Sequence, residues 1–290
     1  MTATHSDTRV LDGNRVARDI KQRIARRLEG MACRPGLAVV LLKAGAASRK
    51  YAEAKVKSCR EVGMDCTVHD LSDDLRPASL HERIRALAAD PAVHGLFIEH
   101  PLPAEVDPIE LYAQIPADKD VEGISHQNLG RLLLGAPNMV ASTAAACMAI
   151  LDFYEVPLAG RKAVVVGRSN IVGKPLAVLL LARDATVTVC HSRTADLAAE
   201  TRQADVLLVS IGQTRHIGPG HVREGAYVVD VGINFEQGRM VGDVDYHGVL
   251  DKVAGITPVP GGVGPVTTAM LLSNLVETAS RQSGMRGTVC

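Results

Sequence analysis

Two side chains with acid–base chemistry, Tyr51 and Lys55, are spaced four residues apart in the first quarter of the chain. They fall in residues 48–61, whose pattern predicts a helix, and a spacing of four places both side chains on one helix face. An amine held beside a phenol can pass protons to and from a substrate, so the pair is a candidate for general acid–base catalysis. Solvated helix faces show the same spacing, which is the alternative interpretation.

A second group of residues could hold a phosphate. Residues 163–166 are four small or β-branched apolar residues in a row, a pattern typical of a strand covered on both faces. Gly167 permits a tight turn, and Gly173 lets the next helix pack close to the strand or lets backbone approach a pyrophosphate. The amides at the helix start would then face the phosphate. The spacing differs from G-x-G-x-x-G, so a purely structural turn is the alternative.

The end of the next predicted strand bears on which dinucleotide would bind. A carboxylate at this position holds the ribose 2′-hydroxyl of NAD, whereas basic and hydroxyl side chains accommodate a 2′-phosphate. The strand at 185–190 is followed by Ser192 and Arg193 without a carboxylate, and Arg168 lies in the first turn. The sequence therefore predicts NADP, with Arg193 as a plain surface arginine as the alternative.

Four further segments lie where predicted strands end or where loops are rigid. Glu99 and His100 end one strand directly before a proline, and ligands of parallel α/β proteins bind at such carboxyl ends. Residues 118–123 form a charged turn, 230–234 end another strand, and 257–265 combine prolines with glycines. We expect ligand contacts here. For His100, a histidine that merely caps the strand end is the alternative.

Strand and helix patterns alternate along most of the chain, which predicts an α/β fold with parallel sheets and helices on both faces. The predicted strands are 36–42, 66–71, 93–99, 163–166, 187–190, 206–211 and 227–231, and the predicted helices include 48–61, 78–87, 143–153, 195–203 and 265–280. The pattern breaks around Pro137 and Asn138. We therefore expect a catalytic domain over residues 1–140, completed by the C-terminal helix at 265–290, and a dinucleotide-binding domain over 141–264.

Composition excludes several classes of protein. Lys and Arg number 32 against 32 Asp and Glu, without a basic run, which argues against a nucleic-acid partner. No run approaches the ~18 apolar residues of a membrane span, and residues 1–7 lack the features of a signal peptide, so we expect a cytoplasmic protein with no membrane partner. Six scattered cysteines and ten histidines show no metal-ligand spacing, which predicts reduced thiols and no metal site.

Together these segments resemble the methylenetetrahydrofolate dehydrogenase/cyclohydrolase family, from Leu11-Asp-Gly13 to the final helix. The most specific strings are Gly167-Arg-Ser-Asn-Ile-Val-Gly-Lys-Pro175, Val241-Gly-Asp243 and Thr257-Pro-Val-Pro-Gly-Gly-Val-Gly-Pro265. The resemblance implies two α/β domains, the second of Rossmann type, with a cleft between them, and a homodimer formed through the dinucleotide domain. It also implies oxidation of 5,10-methylenetetrahydrofolate with NADP or NAD, and in many members hydrolysis of the 5,10-methenyl product.

The resemblance implies roles for individual residues. Tyr51 and Lys55 match the family's Tyr-x-x-x-Lys catalytic pair. Matches to its cofactor contacts are Gly167, Arg168, Ser169, Ser192, Ile233 and Thr267, to which the strand-end argument adds Gly173 and Arg193. The loop residues Pro260, Gly261, Gly262 and Val263 match the wall near substrate and nicotinamide.

The departures from the family pattern concentrate on the substrate side. Glu99 replaces the glutamine that supports the catalytic lysine, His100 replaces a leucine, and Glu122 replaces the pterin-binding aspartate. Ala141-Ser142-Thr143-Ala144 stands for Pro-Cys-Thr-Pro, and Lys43 for a glycine. An ionised Glu99 favours the charged form of the lysine, so we expect hydrolysis to suffer more than hydride transfer, unless Glu99 itself acts as the base. The extra methylene of Glu122 moves its carboxylate by about an ångström.

Three hypotheses follow. The first is an NADP-dependent 5,10-methylenetetrahydrofolate dehydrogenase that retains or has altered cyclohydrolase activity. The second is a divergent paralogue that acts on another one-carbon adduct or imine. The third is a non-enzymatic sensor that keeps the nucleotide fold, against which the presence of Tyr51 and Lys55 argues.

Overall fold

The computed structural model describes residues 8–43 and 45–284, which fall into two compact units. One unit joins the chain up to Arg18 to Thr143–Thr267 and is called the six-strand unit. The other joins Asp19–Ser142 to the chain from Thr268 onwards and is called the three-strand unit. Residues 1–7, and residues 285–290 of the segment predicted to complete the catalytic domain, lie outside the described part of the chain.

The strands are β1 (Arg9–Val10), β2 (Gly36–Leu41), β3 (Asp65–Asp70), β4 (Gly95–Ile98), β5 (Lys162–Val166), β6 (Thr186–Cys190), β7 (Val206–Val209), β8 (Tyr227–Asp230), β9 (Asn234–Glu236), β10 (Arg239–Val241) and β11 (Gly255–Ile256). The helices are α1 (Gly13–Glu29), α2 (Ala46–Glu61), α3 (Pro77–Ala89), α4 (Pro108–Tyr112), α5 (His126–Leu133), α6 (Ser142–Phe153), α7 (Gly173–Leu181), α8 (Leu197–Thr201), α9 (Tyr246–Val249) and α10 (Val263–Gln282).

The three-strand unit has a parallel sheet in the order β3-β2-β4. Every residue of β2 is buried, as expected for a central parallel strand made of small and branched apolar residues. The chain passes from β2 through α2 to β3 on one side and later forms β4 on the other side. Strand order therefore reverses beside β2, and the carboxyl ends at such a reversal are where α/β proteins bind ligands. Glu99 follows β4 at this edge.

The six-strand unit has a sheet in the order β6-β5-β7-β8-β11-β1, and all neighbouring strands are parallel. Its buried core combines Val164 and Val166 of β5 with Leu207 and Val209 of β7. The chain leaves β5 for β6 on one side and reaches β7 on the other, so a second reversal lies beside β5. Gly167 directly follows β5, which places the predicted phosphate turn at this reversal.

The C-terminal half of α10 packs within the three-strand unit. Asn274 Nδ2 donates to the carbonyl oxygens of Val121 and Val140 at 2.8 and 3.1 Å. Gln282 Nε2 donates to the carbonyl oxygen of Asp118 at 3.0 Å. These bonds fix both sides of the turn that contains Glu122.

The predicted strands are present, with ends that shift by one or two residues, but two helix predictions need correction and one helix was missed. The last helix begins at Val263 and not at Pro265, because the backbone after the glycines is already helical. The helix predicted at 195–203 is only α8, since Asp196 caps it by accepting from the Ala199 amide at 2.9 Å. Helix α1 was not predicted, although Val16, Ile20 and Ile24 mark a buried face at helical spacing.

Candidate functional site

The catalytic pair predicted on α2 lies beside the carboxyl end of β4. Lys55 Nζ donates to Glu99 Oε2 at 2.7 Å, and the two side chains are only 15% and 8% exposed. Lys55 Nζ also lies 4.4 Å from the centroid of the Phe97 ring, a cation–π contact. Tyr51 is 41% exposed and makes no hydrogen bond to the residues the structure describes. The structure thus brings Lys55 and Glu99 together and leaves the Tyr51 hydroxyl available to a ligand.

A second polar group joins His100 to Glu122 through Tyr112, a residue that sequence reasoning missed. His100 Nε2 lies 2.9 Å from the Tyr112 hydroxyl, and the two rings stack with an interplanar angle of 15°. The same hydroxyl lies within hydrogen-bond distance of Glu122 Oε2, at 3.2 Å. Tyr112 ends the short helix α4, which Asp107 caps through the Ile109 amide, and no motif distinguishes a tyrosine at such a position.

The turn that carries Glu122 is built around Asp120. Its buried carboxylate accepts hydrogen bonds from the Gly123 amide at 2.9 Å and the Ser125 amide at 2.8 Å. Gly123 has φ +68°, and a side chain there would collide with the backbone of Val140. The glycine of the predicted charged turn is therefore required by packing, and the Asp120 bonds hold Glu122 in place.

Burial and charge set the protonation states of this group. Burial raises the pKa of Glu122 to about 8, with the negative charge of Asp120 adding to the effect, while the Tyr112 hydroxyl, the Ile98 amide and Lys55 oppose it. Burial also raises the pKa of Tyr112 well above its usual range. Burial and then the charge of Lys55 lower the pKa of His100. Near neutral pH the pocket therefore holds the Lys55–Glu99 ion pair beside a protonated Glu122 and a neutral His100.

The glycine turn after β5 is closed as tightly as its sequence predicts. Gly167 has φ +127°, and a Cβ there would overlap the carbonyl oxygen of Ser210. A Cβ at Gly173 would overlap the carbonyl oxygen of Gly167. Neither position accepts a larger residue, because Gly167 lies against the residue that follows β7 and Gly173 lies against the turn that follows β5.

The first amides of α7, which the sequence predicts to face a phosphate, are hydrogen-bonded within the turn itself. Ser169 Oγ accepts from the Val172 amide at 3.1 Å and the Gly173 amide at 3.4 Å, and its carbonyl oxygen accepts from the Lys174 amide at 3.0 Å. Pro175 has no amide hydrogen, so Ser169 already satisfies the amides at the start of α7. The amides of 168–171 make no hydrogen bond to described residues.

The turn after β6 presents its polar side chains outward. Thr194 Oγ1 accepts from the His191 amide at 2.9 Å, and the Arg193 amide donates to His191 Nδ1 at 3.2 Å. The turn is therefore held by its own bonds, and the side chains of Ser192 and Arg193 are exposed. Arg168 is exposed as well, and neither arginine forms an ion pair with the described residues. Both guanidinium groups are free for an anion.

Two buried carboxylates shape the loops around Ile233. Asp243 accepts from the amides of Ile211 and Gln213 at 2.7 and 2.8 Å. Asp230 accepts from the Gly232 amide at 2.9 Å, and burial raises its pKa to about 6. The Val241-Gly-Asp243 string thus holds the ends of β7 and β8 together, and Ile233 stands half exposed on this frame.

The rigid loop 257–263 is anchored from two directions. Thr257 Oγ1 accepts from the Asp230 amide at 2.8 Å, and the Gly261 carbonyl oxygen accepts from the Gly13 amide at 2.9 Å. A Cβ at Gly13 would overlap the carbonyl oxygen of Gly262, which explains the Leu11-Asp-Gly13 string. Pro260 is exposed, Val263 is buried, and the Thr267 hydroxyl donates to the Val263 carbonyl oxygen at 3.2 Å.

A parallel sheet with a glycine turn at its strand-order reversal defines a dinucleotide-binding α/β protein. The NAD(P)-binding domain of the tetrahydrofolate dehydrogenase/cyclohydrolase family matches residues 141–283, and the catalytic domain of that family matches residues 11–122. The chain therefore belongs to the tetrahydrofolate dehydrogenase/cyclohydrolase family.

Individual relatives agree over nearly the full length. The bifunctional protein FolD of Parafrankia sp. is 48% identical over 274 residues, which cover 93% of this chain and 99% of that protein. The crystal structure of the bifunctional dehydrogenase/cyclohydrolase from Campylobacter jejuni has a TM-score of 0.92 at 40% identity and covers 95% of this chain and 99% of that one. The Trypanosoma brucei enzyme, complexed with NADP cofactor and inhibitor, has a TM-score of 0.88 at 33% identity, covering 95% and 98% of the two chains.

The comparisons confirm the predicted family and the two-part α/β fold class. They also confirm that the chain is an enzyme with a nicotinamide dinucleotide domain. The roles of individual site residues stay predictions. Within residues 8–43 and 45–284, no helix is long and apolar enough to cross a membrane, and no cluster of histidine, cysteine and acidic residues could hold a metal ion.

Proposed function

We propose that this chain is an NADP-dependent 5,10-methylenetetrahydrofolate dehydrogenase of one-carbon metabolism, with a cyclohydrolase activity limited by Glu99. The proposal rests on two features found in one chain. The family's catalytic domain matches the segment that contains Lys55, and the turn after β6 in the dinucleotide-binding part has no carboxylate. Bifunctional relatives at 45–48% identity and the NADP complex of the Trypanosoma brucei enzyme support it.

On the dinucleotide side, each group has a distinct task. The unpaired amides at 168–171 bind the pyrophosphate, with Gly167 and Gly173 allowing its close approach. Arg168, Ser192 and Arg193 bind the 2′-phosphate, because a guanidinium donates paired hydrogen bonds to phosphate oxygens. NADP, when bound here, would supply the hydride acceptor. The nicotinamide end of NADP is assigned to Ile233, Thr267 and the loop 260–263.

On the folate side, Lys55 is the catalytic residue and Tyr51 contacts the substrate. Glu122 accepts the amino and N–H groups of the pterin's pyrimidine edge, and His100 lines the same pocket. Hydride loss needs no side-chain base, because the lone pair of a folate nitrogen expels the hydride. Hydrolysis of the methenyl product does require a base to activate water.

The Lys55–Glu99 bond is the reason to expect weak hydrolysis. The Lys55 ammonium lies 2.7 Å from the Glu99 carboxylate, and both side chains are nearly buried. Removing its proton would leave the Glu99 charge buried and unpaired, which is costly. A glutamine in this position would impose no such cost.

The test is a parallel assay of purified protein with methylene- and methenyl-tetrahydrofolate. We expect NADPH formation from the first substrate, less with NAD, and slow hydrolysis of the second. A Lys55→Met variant should lose hydrolysis of methenyl-tetrahydrofolate, whereas Lys57→Met, two residues away on the same helix, should retain it. Absence of methylene-folate-dependent NADPH formation would reject the proposal.

We further propose a cytoplasmic homodimer formed through the six-strand unit, with domain limits at 1–140 plus 265–290 and at 141–264, except that the chain up to Arg18 belongs to the six-strand unit. The support is that β6 is an edge strand of the six-stranded sheet, with Val189 40% exposed on it and Leu181 64% exposed at the end of α7. Light scattering coupled to size exclusion should give twice the chain mass. Val189→Glu should give the monomer mass, and Val68→Glu on the edge strand β3 of the other sheet should not.

A further inference from the structure

The Tyr112 hydroxyl lies between two groups that can both bind it. It is 2.9 Å from His100 Nε2 and 3.2 Å from Glu122 Oε2, and its ring is 94% shielded from solvent. A phenol carries one proton, so it donates to only one of these neighbours at a time. The direction of the hydrogen bonds therefore depends on whether Glu122 is ionised.

Two arrangements of protons give hydrogen bonds along His100, Tyr112 and Glu122. With Glu122 ionised, the Tyr112 hydroxyl donates to the carboxylate. With Glu122 protonated, the carboxyl donates to the Tyr112 oxygen, and the phenol proton turns to His100 Nε2. A neutral imidazole accepts there when its proton is on Nδ1.

The surrounding charges favour the second arrangement in the free protein. Glu122 is faced by Asp120 from its own turn, Lys55 from α2, the Ile98 amide from β4 and Tyr112 from α4, and its pKa stands at about 8. Glu99 acts on Tyr112. The lowered pKa of His100 keeps its ring neutral and able to accept.

A pterin presents donors to Glu122. Its pyrimidine edge carries an amino group and an N–H group, and only an ionised carboxylate accepts from both. Binding therefore requires the carboxylate that the free protein disfavours.

Resting on the proposed function, we propose that Tyr112 is a positioning residue whose hydroxyl switches from His100 to Glu122, so that folate binding releases one proton. The O–H bond of the Glu122 carboxyl breaks and its proton passes to the buffer. The phenol proton turns to the new carboxylate, which also accepts the two pterin N–H groups. No electrons are transferred.

The first test uses the unaltered protein with NADP bound. The KM for methylenetetrahydrofolate should fall by about tenfold per pH unit as the pH rises toward a midpoint near 8. Calorimetric titration with tetrahydrofolate at pH 7, in two buffers of different ionisation enthalpy, should show close to one proton released. Uptake of a proton, or none, would overturn the proposal.

Two variants should move the midpoint in opposite directions. Tyr112→Phe removes the bond that stabilises the carboxylate, so the midpoint should rise by about one unit and the KM at pH 7 should increase about tenfold. His100→Leu removes the competing acceptor, so the midpoint should fall by about one unit and the KM at pH 7 should decrease. Tyr246→Phe in the six-strand unit is the matched control and should match the unaltered protein.

A merely structural role predicts a different outcome. Both variants would then weaken folate binding without moving the midpoint, and that result would reject the switch. If Tyr112→Phe does not fold, the direction of the His100→Leu shift decides alone. Absence of both turnover and tetrahydrofolate binding would reject the proposed function, whereas turnover with a pH-independent KM would reject only the switch.

Discussion

Replacing Glu99 by glutamine tests how the Lys55 ammonium is held. The substitution keeps the side-chain shape and leaves an amide oxygen that can still accept from Lys55 Nζ, but it removes the negative charge. The Coulomb energy of unit charges 2.7 Å apart is about 6 kcal/mol at an effective dielectric constant of ~20. Desolvation offsets much of this, and a hydrogen bond to a charged group contributes about 1.5–3 kcal/mol net.

The substitution therefore removes about 1.5–3 kcal/mol of interaction between the Lys55 ammonium and its partner, equivalent to a factor of roughly 10–100. The Phe97 contact is unchanged by the substitution and retains about 0.5–1 kcal/mol in favour of the ammonium. We expect the kcat for methenyl-tetrahydrofolate hydrolysis to rise by about tenfold. The kcat for hydride transfer should change by less than about threefold, because that step needs no base.

The assay follows methenyl-folate absorbance and NADPH formation on the same preparations. Glu61→Gln is the control, since Glu61 also binds a lysine, Lys21 at 3.0 Å, but on the exposed part of α2. It should change neither rate. A Glu99→Gln variant with about tenfold slower hydrolysis would mean that Glu99 takes part in the chemistry, and the charge argument would be wrong.

Three further predictions concern binding and stability. The double variant Arg168→Ala/Arg193→Ala should raise the KM for NADP by about 10–100-fold and the KM for NAD very little, because charged contacts to the 2′-phosphate are lost. An equal rise in both KM values would contradict this prediction. Gly173→Ala should abolish NADP binding or lower the Tm, whereas Gly218→Ala, which meets no neighbour, should not. The raised pKa of Glu122 contributes stability that is fully present below about pH 4.5 and is lost as the pH rises through about 8. In urea, the free energy of unfolding should therefore fall more steeply over this pH range than in Glu122→Gln, by about 3–5 kcal/mol at most. The same pH dependence in both proteins would refute this prediction.

Features with a local cause were predictable from the sequence. Strand β5 and its turn follow from a run of branched apolar residues and from glycines that no other residue can replace. The pairing of Lys55 with Glu99 joins distant residues, and it was expected from the resemblance to the family, in which a glutamine at this position supports the lysine. The turn at 118–123 was recognisable, since Asp120 and Gly123 are turn residues that here bond to each other at 2.9 Å.

Features that depend on distant contacts were not predictable. Tyr112 is ten residues from Glu122 and twelve from His100, and only the packing of α4 beside β4 brings the three together. The hydrogen bonds of Ser169 were not predicted, for a different reason. A serine four residues before a glycine can bind a phosphate or bond to the backbone of the turn, and only the geometry shows that its oxygen accepts from the Val172 and Gly173 amides.

The two carboxylates that depart from the family pattern share one cation, so they should respond to each other. Lys55 pairs with Glu99 and also lowers the pKa of Glu122 against the effects of burial and Asp120. In Glu99→Gln the ammonium keeps an amide acceptor but loses the opposing negative charge, so it acts more strongly on Glu122. The midpoint of the pH dependence of the folate KM should then move below its value in the unaltered protein. If the midpoint stays in place while hydrolysis accelerates, Lys55 and Glu122 are electrostatically independent, and the two substitutions must be explained separately.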